Sequence, residues 1–96
     1  MIKEKKINLE TSVCQKKDLF VTDIDGEKVM MHIDNGKYYA MNEVGSRIWD
    51  IIINPISVEQ IVITLNDEYD IERSVCETAV LDFLESVYNE NLIEVL

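Results

Sequence analysis

Histidine, proline, cysteine and glycine are all scarce in this 96-residue chain, with one, one, two and three copies respectively. Three of these scarcities narrow the possible functions. The one histidine, His32, has no set of cysteines, histidines and carboxylates around it at metal-ligand spacing, so no metal centre is expected. Cys14 and Cys76 stand far apart and outside any CxxC pair; they read as two free thiols of a reducing, cytoplasmic protein. Gly26 and Gly36 belong to turn dipeptides, which leaves Gly45 alone and no glycine-rich loop to cradle a phosphate. No apolar run approaches the ~20 residues that span a bilayer; Ile51, Ile52 and Ile53 are typical of what exists. The basic start (MIKEKK) is followed by no apolar segment or cleavage site, so no signal peptide is expected.

Positive charge is scarce too. Nine basic residues face nineteen acidic ones, for a net charge of -10. Five of the nine (Lys3, Lys5, Lys6, Lys16, Lys17) precede residue 18. From Asp18 onward four basic residues stand against seventeen acidic, a balance of -13. Phosphate backbones are bound by Lys and Arg that displace counterions, so nucleic acid is not expected as a partner. A neutral or cationic peptide suits such a surface better.

What is present is a chain with 47% hydrophobic and 29% charged residues, enough for one modest core. Residues 1–17 read as a polar N-terminal arm and residues 18–96 as a single domain. Within it a β-meander is expected over 18–41: strands 18–24 and 27–34 flank the turn dipeptide Asp25-Gly26, and 37–41 follows a second one, Asn35-Gly36. In the middle strand Val29, Met31 and Ile33 alternate with Lys28, Met30, His32 and Asp34, so the first set is expected to face the core. Two registers follow from the second turn. A two-residue loop puts Tyr38 and Ala40 on that core face, and a three-residue loop with left-handed Gly36 puts Tyr39 and Met41 there. The second is preferred because it buries the larger pair.

From Asn42 the hydrophobic period changes from 2 to 3.6, and three helices are expected over 42–91. Asn42 is an N-cap, with Val44, Ile48, Ile51 and Ile52 on one face up to Pro55. Ser57-x-x-Gln60 is a capping box, with Ile56 and Ile61 placed as a hydrophobic staple and Ile61, Val62, Leu65 and Tyr69 facing inward. The third helix starts between Asp70 and Ser74 and carries the stripe Cys76, Ala79, Val80, Phe83, Leu84 and Val87. Asn91 reads as a left-handed C-cap before Leu92 and Ile93. Strands followed by helices give an α+β fold, in the style of a winged helix-turn-helix.

No nucleophile and base share a motif. Cys76 falls on an apolar stripe, where packing is its expected role, and His32 falls on the more polar side of its strand. The chain is not expected to be an enzyme. The unusual feature is the last strand (Lys37, Tyr38, Tyr39, Ala40, Met41), which would be a sheet edge blunted by one lysine alone. Either the third helix or the N-terminal arm covers it, or it is kept open for a peptide added as a further strand.

The segment Gly36-Lys-Tyr-Tyr-Ala-Met-Asn-Glu-Val-Gly-Ser-Arg-Ile-Trp resembles the PqqD-like family, the peptide-recognition elements of ribosomal peptide-modification pathways. The likeness runs from about residue 10 to 95. Its most specific part is Asn42 to Trp49, and Phe83-Leu84 and Leu92-Ile93 continue it. Met41 stands for the family's leucine, Asn54 and Asn91 for glycines, and Ala79 for a frequent aspartate. The resemblance implies a winged-helix-like fold that takes a precursor's leader peptide as an added strand beside the third strand, against the third helix. It implies no cofactor and two kinds of partner, the precursor leader and a leader peptidase or other maturation enzyme. Lasso peptide biosynthesis is the preferred setting; the alternative is a chaperone that delivers a precursor to a radical SAM enzyme.

Energetics place the affinity. Each added backbone hydrogen bond contributes ~1 kcal/mol net, while ordering each leader residue costs ~1–2 kcal/mol. Strand pairing alone roughly cancels, so binding must rest on apolar anchors at ~1.5–3 kcal/mol each. Their expected surroundings are Lys37 to Met41 on the edge and Cys76, Ala79 and Phe83 on the helix, with Trp49, Val80, Leu84 and Val87 as core. Two other classes remain open: a winged-helix nucleic-acid binder, and an adaptor that dimerises through the open edge. The chain is otherwise expected to be a monomer or weak dimer away from membranes.

Overall fold

A computed structural model of the protein describes residues 7–17, 19–33 and 36–96. The elements run β1 (Ser12–Gln15), β2 (Leu19–Ile24), β3 (Glu27–His32), β4 (Tyr38–Ala40), α1 (Glu43–Ile51), β5 (Ile56–Ser57), α2 (Val58–Glu68), α3 (Arg73–Asn89) and β6 (Ile93–Val95). The fold is α+β, with two three-stranded antiparallel sheets and three helices. One sheet is the expected meander, in the order β2-β3-β4. The other, in the order β5-β1-β6, ties the start of the chain to its end.

That second sheet corrects the expectation of a polar arm as far as residue 17. Val13 is fully buried and pairs with Ile56 on one side and Val95 on the other. Upstream, Ile7 is also buried. The Thr11 and Leu9 carbonyls accept the first N–H groups of α2, from Val58 at 2.8 Å and Glu59 at 3.0 Å, donors that have no partner inside their own helix. Residues 1–6 lie outside the described residues. A lone apolar residue in Thr-Ser-Val-Cys-Gln carries no alternation to read; this strand forms because it has neighbours on both sides.

The helices start and stop as local chemistry dictates. Asn42 caps α1 by accepting from Gly45 N at 2.8 Å, and Ser57 caps α2 by accepting from Gln60 N at 3.1 Å. α3 begins at Arg73, inside the expected window, with no side-chain cap on Glu72. Asn91 adopts φ 62°, the left-handed turn that returns the chain to β6. The core joins Ile48 and Trp49 of α1 and the following Ile52, Ile61, Val62 and Leu65 of α2, and Cys76, Val80, Leu84 and Val87 of α3. Val44, expected on the inner face of α1, is 38% exposed.

The meander corrects the sequence reading in a second way. The core residue of β3 is Met30, which is fully buried, whereas Val29 and Met31 point to the other face and Ile33 is 59% exposed. The β3–β4 register pairs Met30 with Tyr39 and Met31 with Tyr38. This is neither the two-residue nor the three-residue loop register; Asp34 and Asn35 lie outside the described residues, and Gly36 is left-handed at φ 70° as expected. Tyr39 and Met41 still turn inward, Met41 to 6% exposure, while Ala40 is exposed. Two misplacements, of the face and of the register, cancelled for these residues.

Lys28 explains the inverted face. It lies on the same side as Met30, its side chain only 14% exposed, with its ammonium 3.0 Å from Asp23 and 3.2 Å from Asp50 at the edge of α1. The aliphatic stem packs while the charge finds carboxylates; Asp23, and then Asp50, hold the ammonium above its usual pKa. Ser46 completes the joint. Its buried hydroxyl accepts from Lys28 N at 2.9 Å and donates to Met41 O at 3.2 Å, bridging the two strands where β4 departs into α1. Ser46→Ala leaves both backbone groups without that bridge. A loss of about 1–3 kcal/mol is expected, measured as a lower denaturation midpoint with an unchanged m-value.

Candidate functional site: a groove between an open strand edge and a helix

β4 is the edge of its sheet, and among the described residues no strand pairs with its outer side. The hydrogen-bond phase shows which of its groups are free to pair. His32 N donates to Lys37 O at 3.0 Å and Met41 N to Lys28 O at 2.9 Å. Pairs with this spacing alternate, so Tyr39 directs its N–H and C=O to Met30, while Tyr38 and Ala40 direct theirs outward. The edge therefore offers an N–H and a C=O from each of these two residues.

Beside the edge lies a groove of about 420 Å³, lined on the strand side by Tyr38 to Asn42 and on the helix side by Phe83, Ser86, Val87 and Glu90, with Leu92 also in its lining. Met41, Val87 and Leu92 are core residues whose outer surfaces reach it. Gly45 lets α1 close up on α3, since a Cβ there would lie 2.9 Å from the Phe83 ring; Phe83 thus has helix backbone on one side and the groove on the other. At the far end the Tyr39 hydroxyl donates to Glu90 Oε1 at 3.0 Å, tying strand to helix.

Of the residues expected at the site, Tyr38, Tyr39, Ala40, Met41 and Phe83 line this groove together. Lys37 precedes the strand at an exposed position outside the lining. Cys76 must be removed from the set. It is 1% exposed, its thiol directed to Val62 O at 3.7 Å, and burial pushes its pKa up; it is packing between α2 and α3. Ala79 is exposed but lies in a separate shallow depression with Ser74, Val75, Thr78 and Asp82, toward the start of α3. Ser86 and Glu90 were missed, although their spacing from Phe83 (i+3, i+7) marks the same helical face. His32, read as a surface residue, is half-buried on the Met30 side, and its Nδ1 is buried with no hydrogen-bond partner among the described residues.

The electrostatics suit an incoming peptide rather than an anion. Arg47 makes a two-point contact with Glu68, Arg73 pairs with Glu77, and Lys28 with Asp23 and Asp50. Those three cations have carboxylate partners, and the one charged side chain in the groove lining is Glu90. Among the described residues no three His, Cys, Asp or Glu side chains are grouped to hold a metal ion, and no helix is long and apolar enough to cross a membrane.

Comparison with known proteins places this geometry. Residues 27–93 match the family model "Coenzyme PQQ synthesis protein D (PqqD)". A solved structure described as "TbiB1 in Complex with the TbiA(beta) Leader Peptide" matches with TM-score 0.77 and 32% identity, over 84% of this chain and 94% of that one. A second, "Lasso peptide synthetase B1 complexed with the leader peptide", matches with TM-score 0.75 and 18% identity, over 85% and 96%. No curated protein matches the chain.

Proposed function

The chain belongs to the PqqD family, and from that premise we propose that it binds the leader segment of a ribosomally made precursor peptide, as a recognition element of lasso peptide biosynthesis. The leader pairs with the outward N–H and C=O groups of Tyr38 and Ala40, and its alternate side chains enter the groove against Phe83, Ser86 and Val87. The observation that carries this reading is the unpaired β4 edge beside a groove, in a fold whose 32%-identical relative is a leader-peptide complex. The protein acts without catalysis of its own, holding the precursor for a leader peptidase or another maturation enzyme. Delivery to a radical SAM enzyme would use the same groove and differ only in the partner.

Ala40→Pro tests the pairing. It removes one outward N–H while leaving the bonds to β3 untouched, and proline is tolerated on an edge strand. The expected result is leader affinity weakened about fivefold, the worth of one hydrogen bond of ~1 kcal/mol. This is read by fluorescence anisotropy with a labelled synthetic leader, after melting curves establish equal stability. Unchanged affinity would mean that the leader does not pair with β4.

A further inference from the structure

The meander has a second edge. β2 lies opposite β4 in its sheet, and among the described residues no strand pairs with its outer side. It is 6 residues long against 3 for β4. The bonds of β3 fix which of its groups are unpaired. Lys28, Met30 and His32 direct their backbone groups to β4, so their partners Asp23, Val21 and Leu19 direct theirs away from the sheet. No proline or lysine within the strand blunts this edge, and Phe20, Val21 and Ile24 are exposed on it. The space beside it is open too: a groove of about 530 Å³ is lined there by Lys16, Lys17, Leu19, Val21, Trp49 and Ile53.

We infer that this edge pairs with the same edge of a second copy, antiparallel and centred on Val21. Two properties select that occupant. The first is the phase of the unpaired groups. Setting Val21 opposite its own counterpart sets Leu19 opposite Asp23 of the other copy. All three residues face outward, so a two-fold axis through Val21 closes an unbroken ladder. The second property is charge. Lys16 and Lys17 stand at the Leu19 end and have no carboxylate partner among the described residues. Asp23 and Asp25 stand at the hairpin end. Antiparallel pairing brings each lysine end to the other copy's hairpin, so opposite charges meet at both ends. An acidic peptide from another protein would match the lysine end and not the hairpin end. On the outer side the Phe20 rings of the two copies become diagonal neighbours across the axis, a separation that aromatic side chains reach. Each chain carries a net charge of -10, and that repulsion keeps the dimer weak. The two β4 edges end up on the outer sides of the joined sheet, about 24 Å apart at the usual strand spacing. Each dimer therefore keeps both of its grooves, and the inference does not depend on what β4 binds.

Sedimentation of the purified protein over a range of concentrations is the test. The expected result is reversible dimerisation with a dissociation constant of about 10–100 µM, as suits a small interface. Val21→Pro removes the outward N–H at the axis, leaves the bonds to β3 in place and is tolerated on an edge strand. It should weaken dimerisation at least tenfold, with the melting temperature of the dilute protein unchanged. Ala40→Pro, on the opposite edge, should leave dimerisation within twofold of wild type. Lys17→Glu should weaken it more than Lys37→Glu, which alters the net charge equally at the far side of the sheet. Lys17 is exposed and outside every strand, so this comparison decides the matter even if the proline variant folds poorly. A wild type that stays monomeric at ~1 mM, far above such a constant, overturns the inference. So does equal weakening by the two glutamates, or a dimer indifferent to Val21→Pro. A dimer lost in Ala40→Pro assigns the contact to β4 and overturns it as well.

Discussion

Ser86→Lys is expected to weaken leader binding by about ten- to a hundredfold, because it denies the leader one buried apolar anchor of ~1.5–3 kcal/mol. Ser86 is exposed, sits on α3 between Phe83 and Glu90, and lines the groove. Lysine is a good helix former at an exposed position, so the melting temperature should hold while affinity falls. Ala79→Lys is the matched control. Ala79 lies two turns earlier on α3 in a depression of its own, and its replacement should change affinity by less than threefold. Titration of one labelled leader against wild type and both variants decides the matter. Equal affinity for wild type and Ser86→Lys would remove the leader from this groove, and a larger loss at Ala79 than at Ser86 would move it toward the start of α3.

Deletion of residues 1–17 is expected to abolish cooperative unfolding of the domain altogether. The segment contains β1, the middle strand of a sheet whose outer strands have no other sheet partner, and it carries Val13 and Ile7 into the core. Without it β5 and β6 lose their pairing, and the first N–H groups of α2 lose the Thr11 and Leu9 carbonyls. Val13→Ala is the graded version; removing two buried methyl groups should cost about 2 kcal/mol or slightly more, given the cavity left behind. Thermal melts followed by circular dichroism measure both. A truncated chain that still melts in one sharp transition would mean that the segment is dispensable after all.

Much of this protein was legible in order along the chain. The helices were, because each carries a 3.6-residue stripe and two are announced by a cap: Asn42 and Ser57 cap as their side chains suggest, and Ile48, Leu65, Val80 and Leu84 are buried where the period puts them. The turn at Asn91 was equally local, and so was the weak blunting of the last strand, although the sequence left open whether a distant segment covers that edge. The aromatic pair followed by Met41-Asn42 brought the candidate site into view, and the structure keeps Tyr38, Tyr39, Ala40, Met41 and Phe83 around one groove.

What the sequence could not determine was every feature that depends on a partner distant in the chain. β1 has no periodicity of its own and exists because Ile56 and Val95 flank Val13. Cys76 and Ala79 share a helical stripe with Phe83, but only the position of α2 decides that Cys76 is sealed against Val62 while Ala79 stays outside. The choice of face on β3 shows the reason most clearly. Pattern alone assigns the more apolar set, Val29, Met31 and Ile33, to the interior. The fold instead turns Lys28 inward, where Asp23 and Asp50 meet its ammonium. The aliphatic stem packs beside Met30 while the ammonium lies between carboxylates of β2 and α1, and only the packing of α1 on the sheet supplies the second of them.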